Sequence, residues 1–296
     1  MPVVIRQRHP HFFGEVEGVD LRRALTRDEV AAIEAGMDRH AVLAFRGQDL
    51  DDAQQLAFTL NFGALEPTEG GHIAKPGERR IGIEFADVSN LGRDGRPLAR
   101  DDRHRMFNLG NRLWHSDSSF RAVPAKYSLL SGRVIPPEGE GGDTQFADMR
   151  AAYDALDSRT KARIEDLVCE HSLMTSRGLL GFGEFNEEER RMFRPVRQRL
   201  VRTHPVSGRK SLYLSAHAGA IVGWPVPEAR TFLRDLTEHA TQREFVHSHR
   251  WRQHDLVMWD NRQTMHRVRA FDDVNLVRDV RRTTVAGDAP TAEQAA

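Results

Sequence analysis

His115 and Asp117 stand two residues apart, and His266 lies far downstream of both. Two imidazoles and one carboxylate are the ligand set of mononuclear non-haem iron(II) centres, which keep metal positions open for substrate chemistry. On an extended segment, residues two apart leave the same face, so His115 and Asp117 can grip one ion while Ser116 points away. By spacing alone the pattern is weak, because 14 histidines and 43 acidic residues produce many His-x-Asp triples by chance. The same residues also read as hydrogen-bonded core histidines, or as a zinc site.

Other residues weigh against these plainer readings. Segments 126–135 and 256–259 are rich in apolar and β-branched residues and flank the two ligand stretches as strands. Toward the carboxyl end stand Arg278, Arg281 and Arg282, then Thr283, Thr284 and Val285; alternation on a strand sends Arg278 and Arg282 to one face. An interior face with two guanidiniums needs an anion, and a small dianion chelating the metal at one end would meet an arginine fork at the other. Arg281 faces the other way and reads as a solvated residue balanced by Asp272, Asp273 and Asp279. Zinc gives the paired arginines no task.

Gly18-Val19-Asp20-Leu21, Phe45-Arg46-Gly47-Gln48, Leu113-Trp114-His115-Ser116-Asp117, Gly142-Asp143-Thr144-Gln145-Phe146 and Trp259-Asp260-Asn261-Arg262, in this order, span nearly the whole chain. Together they resemble the taurine dioxygenase family of iron(II)- and 2-oxoglutarate-dependent dioxygenases, and most of all its phenoxyalkanoate branch. The resemblance makes His115, Asp117 and His266 the ligands of Fe(2+). It pairs Arg278 with the distal carboxylate of 2-oxoglutarate, puts Thr144 beside it, and sets Arg282 near the iron-chelating carboxylate. Asn111 resembles an active-site asparagine near the oxygen and substrate position. The stretch from His266 to Arg278 is one residue longer than in the branch, which implies a longer loop at 271–275 or a shifted arginine register.

In the family, the prime substrate docks between a turn before the first ligand and a segment over the barrel mouth. Here these are the turn holding His72, Ile73 and Lys75 and the stretch 171–195, expected as a lid with Met174 and Phe182 as contacts. Leu179, Leu180, Phe185, Met192 and Phe193 join them without a helical or strand period, which fits an apolar cover or a subunit contact equally. His72 and Lys75 also read as solvated loop residues. Arg103, His104 and Arg105 add positive potential or simply balance Asp101 and Asp102. The implied reaction hydroxylates the carbon between ether oxygen and carboxylate of an aryloxyalkanoate, releasing a phenol, a 2-oxo acid (glyoxylate or pyruvate), succinate and CO2. A taurine-like sulfonate or another small carboxylate is the alternative substrate, and a non-catalytic small-anion module the alternative class.

The elements that must position these groups read as one domain over 1–296, mainly β with helical insertions around a double-stranded β-helix (jelly-roll) core. Thr26 and Glu29 form a capping-box pattern for a helix reaching His40, ahead of a strand at 42–45. A second helix is expected over 52–61 with Leu56 and Leu60 inward. Helices follow at 151–156, 158–168 and 227–240, and strands at 212–214, 245–247, 255–259 and 279–285. Lys plus Arg and Asp plus Glu each number 43, a balance without the basic footprint of a nucleic-acid binder. The single cysteine, Cys169, reads as a small buried hydrophobe. No signal segment or long apolar run is visible, so a cytoplasmic protein is expected, and the resemblance implies a homo-oligomer.

Overall fold

The computed structural model describes residues 2–67 and 79–294. Its centre is a pair of facing sheets. The larger runs in the order Val4–Gln7, Gly14–Glu17, Val42–Phe45, Leu256–Asp260, Tyr127–Val134, Asp279–Val285, Ala86–Asp87. The smaller sets Thr144–Asp148 between Val246–His249 and Thr264–Val268. Pairing is antiparallel except where Gly14–Glu17 meets Val42–Phe45. Neighbours in the sheets come from distant parts of the chain, which is the double-stranded β-helix.

Strand alternation assigns the faces. Val42, Ala44, Leu130, Val257 and Trp259 turn into the space between the sheets and meet Phe146 of the smaller one. Leu43, Phe45, Leu129, Leu256 and Met258 point outward, under Ile33 and Met37 of helix Arg27–His40 and Phe58 of helix Asp52–Thr59. Cutting Phe45 to Ala there would cost about 3–5 kcal/mol. The first helix starts at the expected Thr26–Glu29 capping box and stops at Ala41, held at φ 58°. The second is rotated from the expectation: Gln55, Phe58 and Thr59 are buried, while Leu60 is 56% exposed. Hydrogen bonding decides the rotation, since Gln55 Nε2 donates to the Arg281 carbonyl at 3.0 Å and the Thr59 and Thr283 hydroxyls meet at 2.7 Å. This helix thereby pins the strand that follows Arg278.

Between the two ligand regions lies the helical insertion. Helices Met149–Asp154 and Val226–Ala240 pack behind the smaller sheet on Ala147 and Met265. The first begins earlier than expected because the Asp148 carboxylate caps the Arg150 and Ala151 amides. The expected helix over 158–168 ends at Ile164, and Val168–His171 is a strand paired with Val196–Arg199. The expected strand at 212–214 is Lys210–Leu212. Cys169 is fully buried, and burial pushes its thiol up to about 12, far from a thiolate's range. Among the described residues, no helix is long and apolar enough to cross a membrane.

Stretch 171–195 holds two short helices, Leu173–Gly178 and Glu187–Met192. Its apolar residues are mostly inside: Leu173, Phe182, Phe185 and Phe193 pack with Phe107 in a cluster of their own, with Met174 against it. Arg103 ties this stretch to helix Arg103–Asn108 by donating to Glu189 at 2.8 Å and to the Glu184 carbonyl. Arg105 reaches Asp273 instead. Among the described residues neither guanidinium pairs with Asp101 or Asp102, and the Asp102 carboxylate instead caps the helix by accepting the His104 and Arg105 amides.

Candidate active site

His115 follows the 3-10 turn Leu109–Arg112, and His266 lies in mid-strand. Their backbones join in an isolated antiparallel bridge, His115 N–H to the His266 carbonyl at 3.0 Å and the reverse at 2.8 Å. The bridge sets the two imidazoles side by side, 4.2 Å between ring centroids. Asp117, two residues on, projects between them: Oδ1 is 3.7 Å from His115 Nε2 and Oδ2 is 3.7 Å from His266 Nε2. All three are buried, and one ligand atom from each lies within 4.8 Å of the others.

Their protonation suits a metal. His115 Nδ1 is 2.8 Å from the Leu113 carbonyl, which only accepts, so Nδ1 carries the hydrogen and Nε2 presents a lone pair. Burial lowers the proton affinity of both imidazoles, although Asp117 opposes it, so both are neutral ligands near neutral pH. Burial works against the charge on Asp117, but the Arg282 guanidinium and the Ser128 hydroxyl help hold the carboxyl below the usual carboxylate range. Neutral nitrogen, neutral nitrogen and anionic oxygen on one point fit iron(II) with open positions.

A second set of residues holds this set in place. Ser128 Oγ donates to Asp117 Oδ2 at 2.7 Å and accepts from Asn261 Nδ2 at 2.9 Å. Asn261 Oδ1 accepts the Asp117 amide at 3.1 Å and Trp259 Nε1 at 3.0 Å. Next to it, Asp260 and Arg262 close a buried two-pronged ion pair that fixes the turn. The sequence reading left out Ser128. Its signal was strand parity, because Ser128 shares the inward face with Leu130 and lies opposite Trp259.

Asn111, His115, Thr144, His266, Arg278 and Arg282 line one cavity, walled by Val88, Leu130, Trp259 and Val268. The expected register therefore brings both arginines to the metal side. Arg282 donates through Nη1 to Asp117 Oδ1. Arg278 is buried, its amide is held by Asn90 Oδ1, and its guanidinium makes no hydrogen bond among the described residues. Burial pulls it down to about 10, with Asp143 opposing. A buried fork without an acid fits the far carboxylate of a small dianion. Thr144 Oγ1 accepts from Trp251 Nε1 at 3.0 Å, which leaves its own hydrogen to donate.

His72, Ile73 and Lys75 lie outside the described residues. Phe182 packs edge-on to Phe107 and Phe185, with Met174 beside the same cluster. Arg281 meets Asp279 at 3.5 Å, as expected, and closes more tightly on Asp52 at 2.7 Å, brought near by the rotated helix, while Asp272 and Asp273 are engaged elsewhere. Asp272 bonds Asn275, and Asp273 pairs with Arg105 and Arg112.

Comparison with known proteins agrees with this geometry. The family model described as taurine catabolism dioxygenase TauD, TfdA family matches residues 5–284. The alpha-ketoglutarate-dependent 2,4-dichlorophenoxyacetate dioxygenase of Cupriavidus pinatubonensis is 49% identical over 98% of this chain and 99% of its own. The (S)-phenoxypropionate/alpha-ketoglutarate-dioxygenase of Delftia acidovorans is 38% identical over 82% of this chain and 81% of its own. Among solved structures, AAD-2 in complex with Mn(II) and N-oxalylglycine superposes with a TM-score of 0.96 at 62% identity, covering 99% of this chain and 100% of that one. With a neutral-nitrogen and carboxylate triad in a jelly-roll and a full-length match, the chain belongs to the TauD/TfdA family of iron(II)- and 2-oxoglutarate-dependent dioxygenases.

Proposed function

We propose that the chain hydroxylates aryloxyalkanoates at the carbon between ether oxygen and carboxylate. The observation that carries this reading is the 49% identity, over nearly the full length of both chains, to a 2,4-dichlorophenoxyacetate dioxygenase. Iron(II) with 2-oxoglutarate and O2 supplies the oxidation, one oxygen atom going to succinate and one to the substrate carbon, with loss of CO2. The hydroxylated carbon then bears both hydroxyl and aryloxy groups. It collapses without further help as the hydroxyl proton leaves and the C–O bond breaks, giving a phenol and glyoxylate, or pyruvate from a 2-propionate.

The protein's own tasks are holding, orienting and drying. His115, Asp117 and His266 hold the iron. In this reading Arg278 and Thr144 bind the distal carboxylate of 2-oxoglutarate, Arg282 lies near the chelating one, and Asn111 borders the oxygen and substrate position. His72, Ile73, Lys75, Met174 and Phe182 contact the prime substrate, and 171–195 closes over it as a lid in a single domain that works as a homo-oligomer. The experiment is anaerobic loading with iron(II) and 2-oxoglutarate, then oxygen with phenoxyacetates, both phenoxypropionate enantiomers or taurine. Phenol released in step with succinate supports the reading. Succinate coupled to taurine alone overturns it in favour of a sulfonate substrate.

A further inference from the structure

Four arginines are buried among the described residues: Arg150, Arg177, Arg262 and Arg278. Arg150 closes on Asp148 and Arg262 on Asp260, and Arg278 faces the metal cavity. Arg177 is the fourth, and among the described residues no acid pairs with it. It lies in helix Leu173–Gly178, 5% exposed, and its one hydrogen bond runs from Nη1 to the neutral Ser176 hydroxyl at 3.0 Å. Nε has no partner. Burying a cation this way is costly unless an anion completes it.

Its place identifies the anion. The guanidinium carbon sits 4.3 Å from the Phe107 ring centroid and presses on Gly110, where an added Cβ would lie 2.5 Å from that carbon. Gly110 immediately precedes Asn111, which lines the metal cavity. On its other side, Ser176 Oγ gives its single hydrogen to the Leu173 carbonyl at 3.0 Å and so accepts from both Arg177 and His217 Nδ1, the latter at 2.9 Å. His217 lies edge-on to His115, 6.0 Å between centroids. Arg177 thus stands one residue layer behind His115, on a wall built from 107–111, 173–178 and 217. The arginines assigned to 2-oxoglutarate come from elsewhere, Arg282 from the carboxyl-terminal strand and Arg278 from the residue just before it. Ser176 holds one edge of the fork and leaves the Nε edge free, the edge that takes a carboxylate through two parallel hydrogen bonds. Burial alone pulls this guanidinium down to about 9, the mark of a cation lacking its counter-ion.

We infer that Arg177 anchors the carboxylate of the prime substrate, an organic monoanion whose adjoining carbon is thereby turned toward the metal. The inference rests on the aryloxyalkanoate reading and names a residue for it. Breaking one side of a desolvated, hydrogen-bonded charge pair weakens binding by roughly 30-fold or more.

The test uses the full chain loaded anaerobically with iron(II) and 2-oxoglutarate, titrated by calorimetry with 2,4-dichlorophenoxyacetate and with its primary amide. Wild type should bind the acid far more tightly than the amide. Arg177→Gln should lose most of that preference, leave amide and 2-oxoglutarate affinities unchanged, and recover in part as Arg177→Lys. Gly110→Ala, which drives a methyl into the guanidinium, should give the same selective loss and covers the case in which Arg177→Gln does not fold. Unchanged acid affinity in these variants, or equal weakening of acid and amide, overturns the anchor alone. A wild type that binds neither compound overturns the substrate reading and the anchor with it.

Discussion

Ser128→Ala removes one oxygen atom from the wall behind the iron ligands, and its effect can be worked from the geometry. The lost bond is 2.7 Å, wholly buried, and made to an ionised carboxylate. Such bonds contribute about 1.5–3 kcal/mol, which corresponds to about 10- to 100-fold in an equilibrium constant. Partners of metal ligands show the same range when removed. Asn261 Nδ2 also loses its acceptor, but the Asn261 oxygen keeps the Asp117 amide and Trp259, so the backbone of the ligand turn stays in place. The expected result is an unchanged fold with iron(II) or manganese(II) bound about 10- to 100-fold more weakly. Anaerobic titration against a competing chelator reads it directly, and Ser128→Thr, which keeps the hydroxyl, should retain most of the affinity. Equal metal affinity in wild type and Ser128→Ala would refute the claim that this hydroxyl positions Asp117.

Arg278→Met should raise the 2-oxoglutarate requirement about 30-fold or more while stabilising the ligand-free protein, because it removes an unanswered buried cation. An unchanged requirement would assign the cosubstrate to another arginine. His171 is buried with Nε2 unpartnered, and burial lowers it to about 3 against an unfolded value near 6.5. The unfolded chain therefore takes up the proton first: this group's share of stability is complete above pH 6.5 and shrinks below it, by about 2 kcal/mol at pH 5. Urea midpoints at pH 7.5 and 5 should separate less in His171→Gln than in wild type, and equal separation would count against it. Arg103→Ala cuts the tie to Glu189 and the Glu184 carbonyl. Being partly exposed, the ion pair contributes no more than about 1 kcal/mol to global stability. Amide exchange over 171–195 should nonetheless quicken, and an unaltered pattern there would show that the aromatic cluster alone fixes this stretch.

What the sequence made legible was local. The Thr26–Glu29 box, the strand at 42–45 and the strand Asp279–Val285 are set by caps and alternation within a few residues, and they stand where expected. The triad was legible because His115 and Asp117 stand two residues apart and the family motifs fix their partner. Illegible features depend on distant contacts. Leu60 reads as an inward residue until Gln55 and Thr59 find the last strand. The stretch 171–195 has no period of its own because its order comes from Phe107 and Arg103, far back in the chain. Arg177 looks like any helical arginine. Only the fold reveals that Asp148 and Asp260 serve other guanidiniums and that, among the described residues, none serves this one.

The charges around the cavity also dictate how its ligands should cooperate. Arg278 and Arg282 both line the cavity, and Arg282 occupies one oxygen of the Asp117 carboxylate. A divalent cation arriving alone meets that excess of positive charge and competes with Arg282 for the same carboxylate. A dianion that engages both guanidiniums removes the repulsion and frees the oxygen. Metal and 2-oxoglutarate should therefore bind with positive coupling, and linkage requires each to strengthen the other by the same factor, typically about 5- to 150-fold. Measuring manganese(II) affinity with and without 2-oxoglutarate, then 2-oxoglutarate affinity with and without manganese, gives two estimates of one number. Arg282→Met removes the competitor and should reduce the coupling by tightening metal binding in the absence of 2-oxoglutarate. If its metal affinity without 2-oxoglutarate stays at the wild-type value, the Arg282–Asp117 contact is not what restrains the metal, and the coupling must arise from direct chelation alone.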